Sequence, residues 1–376
     1  MFYKSTMNSQ SFIEQTLTEA GITVNGENPF DIQINDNRFY KRVLKDGSLG
    51  LGESYMEGWW DCRALDDFLY RIIQFGGEKK VKTNINSICL VLAAKLFNRQ
   101  SLKRATKVAR KHYNLGNNLF EHILDKYMMY SCAYWNKASD LDQAQENKLD
   151  LICRKLKLSP GHKVLDIGCG WGGFAQFAAQ NYGVQVTGVT ISSNQAELAS
   201  KRCANLPVEI KLKDYRDIAE KFDRIVSIGM FEHVGTKNYP VFMDVVHRNL
   251  KNDGIFLLHS IGGNENRITT DPWIDRYIFP NSVIPSPSQV SAAFEKQFTL
   301  QDWHNFGHYY DDTLMEWLRK FKIAWPAIKN QYDDQFYRMW EYYLNICAAS
   351  FRSGKNHLWQ IVLTKQCYNI NYQSVR

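Results

Sequence analysis

Between Val164 and Gly173 the chain reads VLDIGCGWGG, with four glycines among the six residues 168–173. Glycine at this density lets a ligand touch the backbone, because no Cβ keeps it away. The helical run that follows, Phe174 to Ala179, offers the ligand free N–H groups and partial positive charge. Gly168, Gly170 and Gly173 satisfy the dinucleotide pattern G-x-G-x-x-G. Two other residues point to a different ligand. Asp166 stands two places before the first glycine, where a dinucleotide site takes an apolar residue. The next apolar run, Val184 to Val189, ends at Thr190 and not at the Asp or Glu that would hold a ribose. A carboxylate at 166 suits a ligand carrying both an ammonium and a sulfonium cation, which is S-adenosylmethionine.

These residues need a scaffold, and the alternation of short apolar runs with helical stretches predicts one. Strands are expected at 164–167, 184–189, 208–212, 222–229 and 254–259, with helices at 174–179, 194–203 and 241–250 between them. Alternation of this kind makes an α/β, doubly wound parallel sheet, in which ligands sit at the carboxyl ends of the strands. Asp166, Thr190, Asp214, Glu232 and His259 all fall at such ends. One carboxylate and one histidine at adjacent strand ends, amid much apolar and aromatic sequence, suit an alkene as the nucleophile toward a methyl donor. Attack leaves a carbocation, and closing a three-membered ring then requires a base beside a cation in a dry pocket. Aromatic residues make up 14% of the chain, and aromatic faces stabilise cations.

Leu141–Leu158 reads as a helix stopped by Ser159-Pro160-Gly161, and Leu358–Leu363 as a final strand. Ser11–Ala20 reads as a helix, residues 31–34 as a strand, and GSLGLG at 47–52 as a turn-rich loop; Trp59 and Trp60 are expected in a core. Residues 111–135, which lead into the sheet, are expected to lie across the mouth of the donor site. Residues 262–287 read as an irregular apolar and aromatic insertion walling a substrate tunnel, and Asp302–Trp317 as the lead into a helix.

The net charge is +7, yet ten Lys and Arg and no acidic residue lie between Lys79 and Lys111. Such a block attracts an anionic surface. It holds an amphipathic helix at 88–97 and a more basic one at 101–111. Eight scattered cysteines form no C-x-x-C pair and have no zinc-ligand spacing, so reduced thiols, a cytoplasmic protein and no metal are expected. The N-terminus has no signal-peptide pattern, and no apolar run is long enough to span a bilayer. Contact with a membrane is therefore expected at its inner surface, as a peripheral protein, with no nucleic-acid partner.

The segments GSLGLGESYMEGWWDC, EHILDKYMMYSCAYW, VLDIGCGWGGFA, VTGVTIS, DRIVSIGMFEHVGTKNY, GIFLLHSIG, DPWIDRYIFPN and DWHNFGHYYDDTLMEW together resemble the cyclopropane fatty acid synthase family over nearly the whole chain. The resemblance implies a mostly parallel, seven-stranded Rossmann-like methyltransferase sheet over 121–376. It also implies a smaller N-terminal α+β, lipid-contacting domain over 1–100 and a basic connector over 101–120. It implies transfer of a methylene group from S-adenosylmethionine to cis double bonds of phospholipid acyl chains, and a homodimer. A bound bicarbonate is implied as the base, held by the backbone of Cys132 and Ile261 and by the side chains of Glu232, His259 and Tyr310. Around the donor the resemblance places Tyr130, Ser131, Val164, Asp166, Gly168, Cys169, Gly170, Gly172, Thr190, Gln195 and Tyr215, with Asp214 at the neighbouring strand end.

Overall fold

The computed structural model describes residues 8–76, 117–367 and 371–376. The helices expected at 88–97 and 101–111, and most of the basic connector, lie outside the described residues.

The N-terminal part comprises α1 (Ser9–Glu19), β1 (Gln33–Ile34), α2 (Arg38–Met56), β2 (Trp60–Asp61) and α3 (Leu65–Gln74). The Asn8 side chain caps α1, as an N-cap residue should. The stretch GSLGLG is helical, not a turn-rich loop. Only Gly47 leaves helical geometry, at φ 58° and ψ −131°, and kinks α2 there. The other two glycines serve close packing. A Cβ on Gly50 would meet the carbonyl of Arg42 across the kink, and one on Gly52 would enter the Trp273 ring. Gly52→Val is therefore expected to destabilise the protein by about 1–3 kcal/mol through overpacking. Thermal unfolding should show this as a lower Tm, and an unchanged Tm would refute the contact.

The remaining elements are α4 (Asn117–Ile123), α5 (Leu141–Lys155), β3 (Lys163–Ile167), α6 (Gly173–Tyr182), β4 (Gln185–Thr190), α7 (Ser193–Arg202), β5 (Val208–Leu212), β6 (Phe222–Ile228), α8 (Tyr239–Asn249), β7 (Leu250–Gly263), α9 (Pro272–Tyr277), α10 (Pro287–Phe294), β8 (Phe298–Asn305), α11 (His308–Ile328), α12 (Asp334–Arg352) and β9 (Asn356–Lys365). The sheet order is β5-β4-β3-β6-β7-β9-β8. The first five strands run parallel, and β9 is antiparallel to both β7 and β8. This is the seven-stranded, mostly parallel sheet that the resemblance implies. The chain winds outward from β3 to β5, then restarts at β6 on the other side of β3. That reversal opens a crevice at the carboxyl ends of β3 and β6.

Period-two alternation feeds two apolar layers. Val164, Val186, Val226 and Leu257 pack under α5 and α6. Leu165, Ile167, Ile225 and Phe256 pack under α8 and α10. A third core is rich in aromatic residues and joins α1–α3 to α11 and α12, with Trp60, Phe68, Trp317 and Trp340 fully buried. Ion pairs follow the same seam, with Arg352 linking Asp66 to Asp311 at 2.8 and 2.7 Å. Two expectations are corrected. The run from Asp302 begins in β8 and becomes helical only at His308. The insertion carries the short helix α9, which Pro272 and the Asp271 cap start.

Candidate active site

The crevice holds a cavity of 210 Å³ built from the ends of β3, β4, β5 and β6. Gly168 and Gly172 sit at φ 83° and 81°, a left-handed conformation that turns the chain from β3 into α6. A Cβ on Gly173 would strike the Tyr127 carbonyl, so the segment 127–131 can press directly onto the turn. Met128, Met129, Tyr130 and Ser131 thereby form one wall of this cavity, as expected for the segment before the sheet. Asp166 lies within, and burial pushes its pKa up to about 7 against the opposing charge of Lys148. Thr190 donates a hydrogen bond to Gln195 Oε1 at 3.0 Å and accepts one from the Ser192 N–H. Asp214 is held by Arg216 at 2.8 and 2.7 Å, and Tyr215 packs edge-on against Phe242.

A second, larger cavity of 780 Å³ lies between the sheet and the N-terminal helices. Leu17 of α1, Val43 and Leu51 of α2, and Leu69 and Ile73 of α3 form one side. Ile268, Phe279 and Ile284 of the insertion form another, with Tyr310 and Leu314 of α11 opposite. Tyr130, Gly229 and His233 line both cavities, so the two meet at that point. The neck is aromatic. Tyr130 lies 5.1 Å from the rings of both Phe120 and Trp317, and shares a 2.8 Å hydrogen bond with the Tyr343 hydroxyl.

Beside the neck stands a polar cluster. Glu232 Oε1 accepts a hydrogen bond of 2.6 Å from the Ile261 N–H, while Oε2 is buried without a hydrogen-bond partner among the described residues. Burial raises the Glu232 carboxyl to about 7, against the lowering effect of the Ile261 N–H. His259 is 0% exposed, and burial, helped by the charges of Lys148 and Lys155, drives its pKa well down. Its Nδ1 faces Gln360 Nε2 at 3.3 Å, directly across the β7–β9 register, and its Nε2 has no partner among the described residues. With the Gln360 amide donating to Nδ1, the imidazole proton resides on Nε2. Burial raises the Tyr310 hydroxyl well above the ordinary phenol range. The Cys132 thiol is likewise raised by burial and donates to the Ala133 carbonyl at 3.2 Å, so it stays protonated.

The structure brings most of the named residues together. Tyr130, Ser131, Asp166, Gly168, Cys169, Gly170, Thr190, Gln195, Asp214 and Tyr215 line the smaller cavity. Tyr130, Glu232, Ile261 and Tyr310 line the larger one. Val164 does not reach the donor cavity: it is packed in the core under α5 and α6. Gly172 contributes the turn and the α6 N-cap without lining the cavity. Cys132 and His259 stand fully buried behind the linings. Among the described residues no helix is long and apolar enough to cross a membrane, and no group of side chains is arranged to hold a metal ion.

Residues 100–361 match the family model described as mycolic acid cyclopropane synthetase. The chain belongs to this family. It is 52% identical over 355 residues to the cyclopropane-fatty-acyl-phospholipid synthase of Escherichia coli, covering 94% of this chain and 93% of that protein. The cyclopropane synthase MmaA2 of Mycobacterium tuberculosis superposes with a TM-score of 0.64 at 32% identity, covering 69% of this chain and 97% of that one. The mycolic acid cyclopropane synthase CmaA1, solved with S-adenosylhomocysteine, also gives 0.64 at 33% identity, over 69% and 98% of the two chains.

Several site residues of this cyclopropane synthase family member escaped the reading of the sequence. Gly229 and His233 at the neck lie beside Glu232 within the segment DRIVSIGMFEHVGTKNY, which was the signal that could have found them. Gln145 and Lys148 of α5 grip the donor-site wall from behind. Gln145 Nε2 donates to the Ser131 carbonyl at 2.9 Å, and Lys148 Nζ to Ser131 Oγ at 2.9 Å. Both stand on the buried face of α5 with Leu141, Leu149 and Ile152. Polar residues in apolar register were the signal that could have found them.

Proposed function

We propose that this protein transfers a methylene unit from S-adenosylmethionine to the cis double bond of unsaturated acyl chains in membrane phospholipids, giving cyclopropane chains. The observation that carries this reading is the meeting of two cavities at Tyr130, Gly229 and His233, one built for a cationic donor and one apolar and large. A donor in the first would aim its methyl at an acyl chain in the second. The alkene's π electrons form a bond to the methyl carbon as the carbon–sulfur bond breaks, and S-adenosylhomocysteine leaves. The resulting carbocation sits among aromatic faces. Loss of one proton from the transferred methyl frees the electron pair that closes the ring.

The polar cluster fits a bicarbonate ion. Among the described residues Glu232 Oε2 is an unpartnered acceptor, open to the ion's hydroxyl, and His259 Nε2 an unpartnered donor, open to its anionic oxygen. Tyr310 adds a hydroxyl, and Cys132 supplies backbone. Ile261 acts through Glu232, because its N–H is taken by that carboxylate. Bicarbonate, when bound, supplies the base that receives the proton. Glu232 and His259 orient the acceptor, and the apolar walls keep water from quenching the cation.

The α1–α3 helices belong to the lipid-contacting part in this reading, since they wall the acyl cavity. The basic stretch 79–111 favours peripheral attachment to the inner face of an anionic membrane.

The test uses purified protein, S-adenosylmethionine and vesicles of a cis-unsaturated phospholipid, with products followed by mass and NMR. A cyclopropane ring whose yield falls when bicarbonate is removed is expected. A methyl-branched chain would overturn the ring-closing mechanism, and no transfer would overturn the function.

A further inference from the structure

The wall between α3, the end of β7 and the start of β9 encloses a third cavity, of 360 Å³, outside the site described above. Its lining is more polar than that of the larger cavity. Arg267, Glu265, Asn264, Thr270 and Lys355 face it, along with the backbone of Gly263 and Gly354. It is not separate from the acyl cavity, however. Arg267, Thr269, Thr270, Ile284, Lys355 and Asn356 line both. A polar chamber thus opens onto the apolar one, and two cationic side chains stand at the junction.

The charges define what the chamber takes. Arg267 is paired with Glu265 at 2.8 Å, and both are partly exposed. The planar guanidinium has five donors, so the pair leaves it able to bond a second oxyanion. Among the described residues Arg267 and Lys355 are the cationic side chains lining this chamber, and a phosphodiester anion is chemistry they suit. Thr269 and Thr270 add hydroxyl groups beside the junction.

We propose that this chamber holds the phosphodiester headgroup of the lipid whose acyl chain fills the 780 Å³ cavity, with Arg267 and Lys355 as its ligands. The proposal rests on the reading of the larger cavity as an acyl site and adds the recognition of the lipid's polar end. An acyl chain buried to the neck has to leave its ester and phosphate somewhere outside apolar walls, since an unpaired buried anion is costly. The chamber supplies that place, and its two cations would fix how deep the chain enters.

The experiment is a binding measurement that needs no turnover. The full-length protein, saturated with S-adenosylhomocysteine, is titrated calorimetrically with a short-chain diacyl phospholipid and, separately, with the diacylglycerol of the same chains. The wild type should bind the phospholipid about tenfold or more tightly over the diacylglycerol, the effect of charge-assisted hydrogen bonds at two cations. The double variant Arg267→Gln, Lys355→Gln should lose that preference and keep its affinity for diacylglycerol. Equal binding of the two ligands by the wild type, or a preference that survives in the variant, would overturn the proposal. Inorganic phosphate separates the sources of the anion. If it binds the wild type and not the variant while the phospholipid preference is absent, the chamber is a free-phosphate site and the headgroup assignment fails. A phospholipid preference lost in the variant, together with no ring product in the turnover assay, would retain the headgroup site and reject the reaction.

Discussion

Glu232→Gln should lower ring formation by about 10²- to 10⁴-fold, the range general acid–base catalysis contributes, because it unseats the base that Glu232 orients. Glutamine preserves the shape, and its carbonyl oxygen can still accept the Ile261 N–H, so the turn after β6 should stay in place. It cannot ionise, and its other polar atom becomes a donor where the structure offers an acceptor. Donor binding should be unchanged, because Glu232 lines the larger cavity and not the smaller one. The wild-type pH profile follows from the raised carboxyl. With a pKa pushed up to about 7 by burial, Glu232 is protonated below that pH and ionised above it. The acceptor role needs the ionised form, so activity should rise through about pH 7, and the variant should lack that inflection. Product quantified by mass spectrometry at saturating lipid and saturating S-adenosylmethionine, across pH, checks both. Activity near the wild-type level in the variant would remove Glu232 from the chemistry.

Asp166→Asn should weaken S-adenosylmethionine binding by about 30- to 1,000-fold, from the loss of a buried charge-assisted contact worth roughly 2–4 kcal/mol. Burial holds the empty-site carboxyl up at about 7, opposed by Lys148. A cationic ligand selects the ionised form and expels the proton. Wild-type affinity should therefore rise about tenfold per pH unit below 7 and level off above it. The asparagine variant should show a flat profile across the same range. Calorimetric titration at several pH values reads this directly. A wild-type affinity independent of pH would mean that Asp166 does not face the cationic end of the donor.

The sequence was most legible where local chemistry and periodicity agree. Gly168, Gly170 and Gly172 need glycine for their positive φ, a local demand, and the five parallel strands around this turn are short apolar runs between helical stretches. GSLGLG misled because glycine has two uses. It was read as freedom to turn, whereas Gly50 and Gly52 make room for Arg42 and Trp273, a demand set by residues distant in sequence. Strand β8 was missed because FTLQDWHN mixes polar and apolar residues. Its buried Asp302 is satisfied by Arg376 at 2.6 and 2.7 Å and by Lys155 at 3.4 Å, which sequence alone does not reveal. The donor residues were named nearly as a group because strand ends converge in a doubly wound sheet. Val164 was included by its place in the motif, yet it lies two residues farther from the carboxyl end of β3 than Asp166, so on the same face of the strand it is packed in the core while Asp166 reaches the cavity. The vestibule at Arg267 and Lys355 joins two segments some ninety residues apart, and neither has a motif.

The aromatic core that joins α1–α3 to α12 also sets an order in time. Tyr55 bonds Glu341 across 286 residues, and Trp60 receives Arg338 across 278. At roughly 5–20 residues per second, the ribosome needs on the order of tens of seconds to make the partner of what it has already released. Through that interval Trp60, Phe68 and Leu69 have no α12 to cover them. The earliest helices to emerge are thus among the last to be buried. Slow growth of α12, or its loss by premature termination, leaves a nascent chain with an adhesive end, and the cell's holding chaperones are the natural occupants of that surface until the chain closes on itself.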